Sequence, residues 1–110
     1  MVPESHRAFN PKLAGGAMLD LGVYPLLWSF LSLLHHPDNE GAPPTRITGS
    51  MMPHPRTGVD MSSSLVLDFD AIGARANLTC SLTAASPNDV CVRVIGTEGY
   101  VFCCFAPGLN

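Results

Sequence analysis

The apolar run from Gly16 to Leu34 constrains this chain more than any other segment. Its length approaches a membrane span. Asp20, Gly22, Pro25, Ser29 and Ser32 interrupt it, however, and such interruptions point to a buried or interface helix. From Ala17 to about Leu34 the spacing is helical. Leu19, Val23, Leu26, Leu27, Phe30 and Leu34 fall on one broad face, and Gly22, Pro25, Ser29 and Ser32 form a smaller, blander stripe. Pro25 removes a backbone donor and crowds the preceding turn, so a kink is expected there. Trp28 reads as a packing anchor. His35-His36-Pro37-Asp38 ends the helix, because proline is a stop signal just past a helical run.

Ahead of the helix, Met1 to Gly16 reads as an irregular lead-in, with a turn at Asn10-Pro11 and a flexible hinge at Gly15-Gly16. Beyond it the period changes to two. Strands are expected at Thr45–Met52, Met61–Phe69, Gly73–Thr83, Val90–Ile95 and Tyr100–Phe105. In the second, Leu65, Leu67 and Phe69 share a face. In the third, Ala74, Ala76, Leu78 and Cys80 alternate with Arg75, Asn77, Thr79 and Ser81. Asp70–Gly73 and Gly96–Gly99 are short enough to join antiparallel neighbours. The pattern predicts an α+β domain over residues 1–110: one N-terminal helix on a mostly antiparallel open sheet.

Composition narrows the partners. Net charge is −3, so there is no basic excess of the kind that binds nucleic acid. Only 14% of residues are charged, against about 25% in a typical soluble domain, which suggests that part of the surface meets a partner. The polar start has no apolar core of the signal-peptide kind. Cys80, Cys91, Cys103 and Cys104 lack metal-ligand spacing, and with no secretion signal they read as free, mostly buried thiols in a cytoplasmic protein. No metal is expected.

The sharpest local feature is Gly15-Gly16-Ala17-Met18-Leu19-Asp20-Leu21-Gly22-Val23-Tyr24. Asp20 and Tyr24 stand four apart and share a helix face. A carboxylate in an apolar helix calls for a partner, and a tyrosine hydroxyl one turn away is a candidate proton donor or acceptor. Gly15 and Gly16 would let a substrate or cofactor ring approach the backbone. The plainer alternative is that Asp20 caps the helix and Tyr24 is a core aromatic. The four histidines are scattered. No G-x-G-x-x-G follows a strand, so no dinucleotide fingerprint is present.

Ser5-His6-Arg7, followed by the run from Asn10-Pro11 through Asp20 and Tyr24 to Leu26, resembles the signature segment of the second domain of glucose-fructose oxidoreductase/inositol dehydrogenase-type enzymes. Thr57-Gly58-Val59-Asp60 and Val94-Ile95-Gly96-Thr97-Glu98-Gly99-Tyr100-Val101 are similar to the branch of dimeric dihydrodiol dehydrogenases and fungal NADP-dependent D-xylose dehydrogenases. The resemblance implies an α+β domain that follows an NAD(P)-binding domain, with Tyr24 as acid/base on the substrate, Asp20 orienting it, Arg7 contacting substrate, and Gly15 and Gly16 beside the cofactor. It implies a sugar or diol substrate and a homodimer through the sheet face.

The departures from the family matter equally. Its nucleotide-binding domain and its Glu-Lys-Pro motif are missing from the sequence, and the chain stops soon after the Gly96–Gly99 turn. The expectation is therefore a fragment of an oxidoreductase, inactive alone and binding no NADP by itself. The alternative is a non-catalytic association module that uses the open sheet face.

Overall fold

The computed structural model describes residues 3–84 and 91–103. The lead-in is more regular than the sequence suggests. It forms two single 3₁₀ turns, Arg7–Phe9 and Pro11–Leu13. His6 Nδ1 accepts the Ala8 N–H, and Asn10 Oδ1 accepts the Lys12 N–H, so each turn has a side-chain cap. Pro11 takes the first position, where a missing N–H costs nothing.

The expected long helix is broken into α1 (Ala17–Asp20) and α2 (Val23–Ser29), then one π turn over Phe30–Leu34. The break lies at Leu21-Gly22, one turn before Pro25, and proline chemistry explains the offset. Pro25 has no N–H to offer the Leu21 carbonyl four residues earlier, and its ring crowds that oxygen. The Leu21 carbonyl instead accepts the Tyr24 N–H at 3.2 Å. At the far end the buried Asn39 amide donates to the carbonyls of Leu34 at 3.1 Å and Ala42 at 2.8 Å, closing an otherwise exposed loop around the 3₁₀ turn Pro37–Asn39.

Strands β1 (Arg46–Pro53), β2 (Asp60–Phe69) and β3 (Ala74–Ser81) form an antiparallel sheet in chain order. Strands β4 (Val92–Gly96) and β5 (Gly99–Cys103) form a separate antiparallel hairpin. The five expected strands are present, but as two sheets instead of one. The last two residues of the fifth expected strand, Cys104 and Phe105, lie outside the described residues. Leu65 pairs with Leu78, Leu67 with Ala76 and Phe69 with Ala74, which puts the period-two apolar set on one face. Asp70–Ile72 is a 3₁₀ turn, and Gly73, at φ 59°, supplies the left-handed residue that starts β3.

The core is Leu67, Phe69 and Leu78, with Leu26, Leu33, Leu34, Leu65, Ile72 and Ala76 packed against it. The helical segment packs on the sheet through Leu26, Leu33 and Leu34. The small residues Gly22 and Ser29 are buried as well, whereas Leu19 (67% exposed), Val23, Leu27 and Leu31 point away. Trp28 is 40% exposed and so is no core anchor. It borders an open cleft of about 1000 Å³ between the helix and β3 on one side and the β4–β5 hairpin on the other. The far face of the sheet carries Thr48, Ser50, Ser64 and Thr79, with Asp68 between Arg46 and Arg75.

Candidate active site

The lead-in and α1 meet through one ion pair: Arg7 Nη2 donates to Asp20 Oδ1 at 2.7 Å. Neither of the plainer expectations for the motif holds. Asp20 lies at the C-terminal end of α1 and caps nothing, and Tyr24 is 65% exposed in the first turn of α2, outside the core. Leu21 and Gly22 keep right-handed helical dihedrals through the break, so Tyr24 follows Asp20 by about one turn. Arg7 and Asp20 thus meet at the helix start, and the exposed Tyr24 phenol follows about one turn on.

The glycines before α1 are not a hinge. A Cβ on Gly15 would come within 2.6 Å of the Ala8 carbonyl oxygen and 2.8 Å of that of Asn10. Gly16 is buried at φ 125°, and a Cβ there would collide with Asp60 Oδ1. Both residues lie against the chain itself, and the Gly16 N–H donates to the Ala8 carbonyl at 2.8 Å. Local packing therefore accounts for the missing side chains.

Asp60 is the residue that sequence reasoning missed. Its Oδ2 accepts the Met18 N–H at 2.8 Å and the Ser63 hydroxyl at 2.5 Å. Helix α1 begins at a glycine with no side-chain cap, and a carboxylate from β2 supplies one. His54, in the β1–β2 loop, was also passed over. It is buried, and its Nδ1 accepts the N–H groups of Arg56 at 3.3 Å and Thr57 at 3.2 Å. That fixes its proton on Nε2, which faces Glu4 Oε1 at 3.3 Å. Glu4 is also paired with Arg56. Cys80 borders the Asp60 cluster, and burial first, then the Asp60 charge, push its thiol above the usual value. Among the described residues, Cys91 is exposed and Cys80 and Cys103 are half-buried, so these thiols are not mostly buried, and Cys104 lies outside the described residues.

A Cβ on Gly15 or Gly16 would meet the chain's own atoms, and the Arg7 guanidinium is paired with Asp20. Among the described residues, no group of three or more His, Cys, Asp or Glu side chains is placed to hold a metal ion.

Residues 2–102 match the family model of the GFO/IDH/MocA C-terminal domain. The chain belongs to this family. As a GFO/IDH/MocA C-terminal domain it is 36% identical to the D-xylose 1-dehydrogenase (NADP(+)) of Hypocrea jecorina over 103 residues, 89% of this chain and 26% of that protein. It is 36% identical to the trans-1,2-dihydrobenzene-1,2-diol dehydrogenase of Bos taurus over 94 residues, 86% of this chain and 25% of that protein. The Xenopus tropicalis protein of the same name is 33% identical over 95 residues, 86% of this chain and 26% of that protein. The chain thus spans about a quarter of the length of these GFO/IDH/MocA relatives. No solved structure matches it significantly.

Proposed function

We propose that this chain is part of an NADP-dependent oxidoreductase acting on a sugar of the D-xylose kind or on a trans-dihydrodiol, and that it is inactive alone. The observation that carries the reading is the exposed Tyr24 one helical turn beyond the Arg7–Asp20 pair, on the side of the helix turned away from the sheet. Tyr24 would exchange a proton with the substrate oxygen, and Asp20 would hold Arg7 in place. Arg7 is 60% exposed and has N–H donors left over for a substrate hydroxyl. NADP would supply the hydride acceptor. It would be held by a nucleotide-binding domain outside these residues.

The surface supports the fragment reading. Leu19, Val23, Leu27 and Leu31 form a continuous exposed stripe that more protein would cover. Pro11–Leu34 is long and apolar enough to cross a membrane by length and composition. We read it as an interface helix because its inner side already packs on the sheet. The same reading puts the enzyme in the cytoplasm, without a nucleic-acid or membrane partner.

The test is a chimera in which this chain replaces the matching quarter of the fungal D-xylose dehydrogenase. It should oxidise xylose or a dihydrodiol with NADP, Tyr24→Phe should lower kcat by about 100-fold or more, and the isolated chain should show no turnover. A folded chimera that tolerates Tyr24→Phe would refute the assignment.

A second reading is a non-catalytic association module that dimerises through the open sheet face. It is favoured by the far face of the sheet, where the hydroxyls of Thr48, Ser50, Ser64 and Thr79 are exposed. Sedimentation showing a dimer that Ser64→Arg dissociates would support it, and a monomer at high concentration would remove it.

A further inference from the structure

The Arg7–Asp20 pair joins two segments that are held from below by the same short loop. We infer that the β1–β2 loop and the first residue of β2, through His54 and Asp60, form a clasp that positions Arg7 and Asp20. The inference rests on the proposed role of that pair, although the clasp can be measured without any turnover.

One jaw of the clasp is His54, which is 7% exposed. Its ring lies 5.3 Å from that of Phe9, tilted by 48°, and its Nε2 meets Glu4. Phe9 and Glu4 flank Arg7 in the lead-in, so His54 grips the chain on both sides of it. The loop itself is closed: the His54 N–H donates to the Val59 carbonyl at 2.7 Å, and the Gly58 N–H returns to the His54 carbonyl at 2.9 Å. The other jaw is Asp60, whose Oδ2 takes the Met18 N–H two residues ahead of Asp20 and whose Oδ1 fills the space over Gly16. Buried Val59 lies between the two jaws.

The anchors cap α1 and hold the lead-in, but the pair they carry adds little stability of its own. An ion pair as exposed as Arg7–Asp20 contributes about 0–1 kcal/mol. Two anchors, one of them a buried histidine that uses both ring nitrogens, converge on a pair that stabilises the fold very little. Fixing the orientation of two functional side chains does call for such support, since a site that is loose by about 1 Å loses function. His54 and Asp60 are therefore positioning residues.

The experiment uses the full chain with labelled arginine, read by NMR. In the unmodified chain, Asp20→Asn shifts the Arg7 side-chain N–H resonance. That response should fall to less than about half in Asp60→Ala and in His54→Phe, which keeps the ring stack and loses both nitrogens. Asp60→Asn retains an acceptor for the Met18 N–H and should restore it. Leu67→Ala, which weakens the core farther along β2, should leave it intact. A full response in Asp60→Ala and His54→Phe would overturn the clasp, as would an equal loss in Leu67→Ala. If Asp60→Ala does not fold, His54→Phe decides alone. Because no catalysis is measured, a failed chimera and a failed clasp are separate results.

Discussion

Asp60 on β2 caps the backbone N–H of Met18, 42 residues earlier in the chain, at 2.8 Å. The glycine at the head of α1 offers no side chain for the purpose, and the carboxylate lies where a Gly16 Cβ would have to be. Gly16→Ala therefore suffers twice, from a left-handed φ and from a collision with Asp60. We expect a loss of about 3 kcal/mol or more in urea unfolding. Gly41 has a similar restriction, φ 72°, but opens onto empty space, so Gly41→Ala should cost only about 1–2 kcal/mol. Equal costs would show that Asp60 does not fill the space over Gly16.

Asp68 should control acid stability. Its carboxylate is held first by Arg75, whose Nε is at 2.5 Å, and then by Arg46, so its folded pKa is below the ordinary 3.8. With the folded value depressed, the unfolded chain takes up the proton first as pH falls. The stabilisation is complete above the unfolded value and is lost as pH drops through it toward the folded one. Unfolding midpoints followed downward from pH 5 should fall more steeply in the unmodified chain than in Asp68→Asn. Parallel curves would show that the triad carries no linkage.

The thiols should separate by rate. Cys80 is half-buried, with its Sγ directed at the Ser63 carbonyl, and its ionisation is pushed up by burial and by Asp60. Cys91 is exposed on the hairpin. Alkylation mapped by peptide mass at pH 8 should modify Cys91 well before Cys80. Asp60→Asn should speed Cys80, because one of the two causes of its shift is then gone. An unchanged rate would place the whole shift in burial.

How far the sequence could be read depends on how local each cause is. Strands β2 and β3 were legible because Leu65, Leu67 and Phe69 alternate against Ala74, Ala76 and Leu78, and period two survives any tertiary context. The α+β class followed from that. The broken helix was half legible: Pro25 forecast a disturbance, and the Leu21 carbonyl shows that it falls one turn earlier. Which face of the helix packs was half legible. Of the broad apolar face, Leu26 and Leu34 pack on the core while Leu19, Val23 and Leu27 are exposed, and the blander stripe supplies the buried Gly22 and Ser29. Asp20 and Tyr24 were visible as a motif, and the Arg7–Asp20 pair joins two of the residues singled out with it. Asp60 and His54 were not visible, since their partners lie far away in the chain. An uncapped glycine start was the only local hint that a distant acceptor was needed.

The exposed stripe gives the last prediction. Leu19 and Leu27 are both more than half exposed, and they share the outer side of the helix with Val23 and Leu31. A patch of this kind drives association in dilute buffer, so the isolated chain should scatter light increasingly with concentration. Leu19→Lys with Leu27→Lys should suppress that scattering and leave the unfolding midpoint nearly unchanged, because neither side chain contributes to the core. Leu67 is buried under the helix, and Leu67→Ala should cost about 2–4 kcal/mol without improving solubility. If the paired lysines lowered stability as much as Leu67→Ala, the stripe would belong to the fold and not to a covering partner. If they abolished scattering but also inactivated the chimera, the covered face would be the one on which the rest of the enzyme sits.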